Sequence, residues 1–135
     1  VSVSVAGVVK SFQGLSTAEK ITNVLTEDIG NGVNSRRNVG NTNVYKALRT
    51  NDYVSASESI NTDSLPEDFQ IAWQNHMQAW RTHADYLNEK KHLRGFNSDY
   101  DSISSDQINE INNTWWEVLS IARQHGAVIP PNAYY

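Results

Sequence analysis

The stretch 65-LPEDFQIAWQNHMQAWRTHADYL-87 has the clearest period in the chain. At about 100° per residue, Leu65, Phe69, Trp73, His76, Trp80, His83 and Leu87 fall within an arc of roughly 80°. Glu67, Gln78, Arg81, Asp85 and Glu89 lie opposite them. This pattern predicts an amphipathic helix over 65–94. Ser64 is its expected cap, Pro66 lies in its first turn, and Glu67 takes the reciprocal position. Arg94 and Gly95 close it, since a basic residue followed by glycine suits a helix C-terminus. About 30 residues at 1.5 Å each span near 45 Å, which makes this segment the expected spine of the domain.

Helices are expected on both sides of the spine. Upstream, Ser16-Thr17-Ala18-Glu19 has the form of a capping box. The helix it opens carries Ile21, Val24 and Leu25 inward and is expected to stop at Gly30-Asn31-Gly32. A loop rich in Asn and Gly then runs to Thr42 and carries the basic pair Arg36 and Arg37. A short helix follows over 43–49, and its continuation to Ile60 is weakened by Thr50-Asn51. Downstream, Ser104 with Gln107 reads as a second capping box, and Ile103 with Ile108 as a hydrophobic staple. The last helix carries Ile108, Ile111, Trp115, Leu119 and Ala122 inward, with Val118 at one edge, and ends at Gly126. Pro130-Pro131 directs the remaining residues along the surface as an extended tail.

The fold class is therefore all-α, an irregular four-helix bundle-like domain with a long central helix and extended N- and C-terminal arms. The expected boundaries are an arm over 1–15, one helical domain over 16–126 and a tail over 127–135. A chain of 135 residues, 39% hydrophobic and 19% charged, suits one domain with its own core. A net charge of −4, with no basic run beyond Arg36-Arg37 or Lys90-Lys91, argues against a nucleic-acid partner. The absence of cysteine excludes thiolate catalysis, disulfides and iron–sulfur ligation. Three readings of the apolar opening Val1–Val9 stay open: a docked arm, which is favoured, the end of an N-terminal anchor, and a mature terminus left after removal of a signal peptide. Membrane association would come only through such an anchor. A periplasmic or extracellular location is slightly favoured over a cytoplasmic one.

The chemistry-bearing residues do not form a recognisable catalytic motif. His76 and His83 stand about 10.5 Å apart along the helix axis and cannot share one metal ion. The single Glu89-x-x-His92 spacing falls among lysines rather than in a paired bundle site. No metal and no cofactor are expected, and an enzyme is the less favoured reading. The leading expectation is a noncatalytic protein-interaction or structural module. Its partner, another protein, is expected at Trp116, Tyr86, Arg36 and Arg37, because Trp116 is rotated about 100° from the inward Trp115 and aromatic side chains are enriched at interfaces. The alternative is a small-molecule or cofactor pocket between the long and last helices, bordered by Trp73, Trp80 and Trp115. His76 and His83 are its expected polar elements. Asp28, on the inner side of the first helix, is expected either in a frayed last turn or as a partner for one of the imidazoles.

Overall fold

The computed structural model describes residues 14–36, 40 and 42–133. Among them are four α-helices, α1 (Thr17–Ser35), α2 (Asn43–Glu58), α3 (Glu67–Lys90) and α4 (Ser102–Gln124), and a short 3-10 turn over Pro131–Ala133. The all-helical, bundle-like architecture expected from the sequence is what the chain adopts. α3 packs against both α2 and α4, and α1 lies against α2, touching α4 and the terminal 3-10 turn. Residues 1–13 of the expected N-terminal arm over 1–15 lie outside the described residues, as do Arg37, Tyr134 and Tyr135.

Local chemistry accounts for the helix starts. Ser16 has extended backbone and accepts the Glu19 N–H at 3.1 Å, satisfying one of the orphan donors of the first turn. Thr42 does the same for the Tyr45 N–H at the start of α2. At α4 the cap is Asp101 rather than Ser104. Its carboxylate accepts the Ser104 N–H at 2.9 Å and the Tyr86 hydroxyl at 2.8 Å, and both hold its pKa low. Asp101 can therefore bind α3 as well as cap α4. Ser104 lies one turn inside, buried, and Ile103 and Ile108 are both exposed rather than forming a staple. At α3 the helix begins at Glu67, with Pro66 in the cap position and no side-chain cap, so Ser64 is not used. It ends at Lys90, and 24 residues give a length of about 36 Å, shorter than the expected spine.

Two further differences have a common cause. α1 continues through Gly30-Asn31-Gly32 to Ser35, and α2 continues through Thr50-Asn51 to Glu58. In both cases weak intrinsic propensity is overridden by contacts between the two helices. Asn31 donates to Ser57 Oγ at 3.2 Å, and Asp28 accepts from Tyr53 and Ser57.

The core joins Ile21 and Leu25 of α1, Phe69 and Trp73 of α3, and Trp115 and Leu119 of α4. Val118 is fully buried rather than marginal. Because α3 is covered on two sides, it also buries Ala72, Met77, Ala79 and Ala84, which the single apolar row does not include. The tail is tied down by polar contacts. Trp115 Nε1 donates to the Ala133 carbonyl at 3.0 Å. Thr22 Oγ1 donates to the Val128 carbonyl at 2.9 Å and accepts the Val128 N–H at 3.1 Å.

Candidate functional site

The α3–α4 seam, where the sequence places a pocket, is closed by packing. His76 is buried and its Nδ1 lies 2.8 Å from Thr114 Oγ1, while its ring sits 5.1 Å from the Trp115 ring. Burial pushes its pKa down from 6.5 to about 4, with a hydrogen bond to the Ile111 carbonyl opposing the shift, so the ring is neutral near pH 7. His83 is buried one turn beyond Trp80, with Nδ1 2.8 Å from Gln107 Oε1, and burial lowers its pKa as well. Trp73 and Trp115 fill the core. A groove of about 470 Å³ runs over the outside of this seam, lined by polar side chains including Asn75, Gln78, Gln107 and Glu110. Thr114 and Gln107, the partners of the two imidazoles, form part of its lining.

A second cavity lies elsewhere. A cleft of about 490 Å³ opens between α1 and α2, with Trp80 of α3 and Asn132 of the tail completing its wall. Helical spacing builds it. Asp28, Gly32 and Ser35 recur at intervals of three and four along α1, and Arg49 and Tyr53 are four apart along α2, so each set shares a face. Tyr53 and Trp80 meet edge to face, with ring centroids 4.9 Å apart, and give the cleft an aromatic side. Ile29 and Val33 add apolar surface, while Arg36 and Arg49 bring positive charge.

Asp28 supplies the chemistry of this cleft. It is 5% exposed, and its Oδ1 accepts the Tyr53 hydroxyl at 2.6 Å and the Ser57 hydroxyl at 2.8 Å. Oδ2 has no hydrogen-bond partner among the described residues. It is not sealed from solvent either, since the fully buried unpartnered side-chain atoms there are Trp80 Nε1 and Ser104 Oγ. Burial pushes the Asp28 pKa up from 3.8 to about 6, and the two hydroxyls only partly reverse this. Among the described residues, no ion pair joins Asp28 to either cleft arginine. The cleft thus holds a carboxylate with one oxygen unbonded, beside two aromatic rings of which one carries an unpartnered donor.

Asp28 and Trp80, expected in a pocket with the histidines, therefore meet in a different cavity, and Asp28 pairs with hydroxyls rather than with an imidazole. Arg36, expected in a long loop, is the C-terminal cap residue of α1 and lines the cleft. Tyr86 spends its hydroxyl on Asp101 and packs against Phe96, leaving it half-buried. Trp116 is 53% exposed on α4, far in sequence from any cleft residue of α1 or α2. Sequence reasoning missed Tyr53, Ser57, Arg49 and Thr50. The spacing of Arg49, Tyr53 and Ser57 at intervals of four was their available signal, legible only if α2 is one continuous helix. Among the described residues, no group of three or more His, Asp or Glu side chains is arranged to hold a metal ion, and no helix is long and apolar enough to cross a membrane. Compared with known proteins, the chain matches no family model, no curated protein and no solved structure.

Proposed function

We propose that this protein is a noncatalytic helical binding module that receives a small amphipathic molecule in the cleft between α1 and α2. The observation that carries this reading is the buried, incompletely bonded Asp28 carboxylate beside the Tyr53–Trp80 aromatic pair, in a space of about 490 Å³. That volume lies in the range of small-molecule sites, which combine apolar and aromatic walls with a few placed polar groups. A fragment screen by NMR on isotope-labelled protein tests it. Hits should shift the Trp80 indole signal and should be lost in Gly32→Leu, since a side chain at Gly32 starts 3.9 Å from the Tyr53 ring and grows across the cleft. Hits that leave Trp80 unmoved, or that survive Gly32→Leu, refute the reading.

A second reading, a protein-interaction module, draws on Trp116, whose half-exposed ring is the kind of anchor that protein interfaces use. A partner that protects the Trp116 indole and loses affinity in Trp116→Ala would favour it over the cleft.

A further inference from the structure

The cleft is charged at two places that do not neutralise each other. At its back, Asp28 offers Oδ2 without a partner. Toward the end of α1 stands Arg36, exposed and with no ion pair among the described residues. The two are eight residues and about 12 Å apart along α1, and helix side chains lean toward the N-terminus, so the guanidinium reaches back toward the space that both residues line. Between them runs the apolar and aromatic surface of Ile29, Val33 and Tyr53, with the Trp80 ring beside Tyr53.

A purely cationic ligand would gain Asp28 but meet the field of Arg36 and Arg49. A purely anionic one would gain Arg36 but place its charge in the same cleft as a buried carboxylate. Either leaves one end of the cleft unanswered, and covering the buried Asp28 carboxylate without a cation is the costlier omission, because its charge is the one held away from water. A molecule with both charges, joined by an apolar chain, answers each end in turn. The aromatic rings add to this, because an ammonium group near Tyr or Trp faces is favoured by the ring quadrupole.

We infer that the cleft ligand is a small zwitterion, with its ammonium group on Asp28 Oδ2, its anionic group on Arg36 and its apolar chain along Tyr53 and Trp80. This rests on the reading of the cleft as a ligand site. The test is calorimetric titration of the protein with ω-amino acids of three to eight carbons and, at each length, the matching alkylamine and alkanoate. The Trp80 indole signal reports where each binds. At its best length the ω-amino acid should bind at least about tenfold more tightly than either singly charged analogue. Asp28→Asn should bring it down to the alkanoate's affinity, and Arg36→Gln to the alkylamine's. An alkylamine or alkanoate that binds as tightly as the ω-amino acid, or a preference unchanged by Asp28→Asn, overturns the charge assignment while leaving the cleft as a binding site. If the whole panel is silent but uncharged fragments still shift Trp80, the zwitterion assignment alone falls. If neither panel nor fragments bind, both readings fall.

Discussion

Replacing Asp28 by Asn separates the energetic burden of this carboxyl from its bonding. In the folded chain it releases its proton near pH 6, against 3.8 when unperturbed, because burial disfavours the charged form. Below pH 3.8 both folded and unfolded chains hold the proton, and ionisation costs the fold nothing. As pH rises through 6 the unfolded chain ionises first. At about 1.36 kcal/mol for each pH unit, the fold then loses about 3 kcal/mol. His76 works in the opposite sense: its folded pKa is about 4 against 6.5 unperturbed, so its contribution is present above pH 6.5 and is lost as pH falls through 4. That loss is also about 3 kcal/mol. The two windows nearly coincide, so these groups offset each other in the native protein. Asp28→Asn keeps an acceptor for Tyr53 and Ser57 and removes one of the two. Urea unfolding followed by circular dichroism from pH 4 to 8 should show the variant gaining on the native chain by about 2.5 kcal/mol as pH rises, on top of a pH-independent offset for its new amide nitrogen. The variant alone should then weaken steeply between pH 6.5 and 4. A difference that stays constant across this range, or shrinks as pH rises, refutes the account of Asp28 as a carboxyl ionised at a cost.

Gly30→Ala should stabilise the protein by about 0.5–1 kcal/mol, because Gly30 is helical and a Cβ there meets nothing within 4 Å. A lowered denaturation midpoint would show that the end of α1 is not helical in solution. Trp115→Phe removes the indole donor to the Ala133 carbonyl and should cost about 1 kcal/mol for the hydrogen bond, with more from lost packing. Limited proteolysis should then cleave more readily within 127–133, and an unchanged cleavage rate would refute this tether.

The histidine row of α3 and the α1–α2 cleft illustrate different limits of sequence reading. The inward placement of His76, His83, Phe69 and Trp73 follows from helical period alone, and the imidazoles find the polar partners that buried rings require. Their partners, Thr114 and Gln107, come from another helix, and no local spacing names them. The cleft was less legible still. Asp28 near a helix end, beside Gly30 and Gly32, reads as fraying because local propensity is all that a single segment reveals.

The sequence by itself determined the four α-helices, the Ser16 cap, and most of the faces of α3 and α4 that turn inward, because periodicity and capping act over a few residues within one helix; the 3-10 turn in the tail it did not. Only the tertiary structure decided that α1 and α2 run on past their weak residues, that α3 is covered on two sides, and that Asp28, Tyr53, Trp80 and Arg36 line one cavity. Those outcomes depend on hydrogen bonds and packing between different helices, such as Tyr53 to Asp28, which together offset the up to about 1 kcal/mol that a weak helix former such as Gly30 costs.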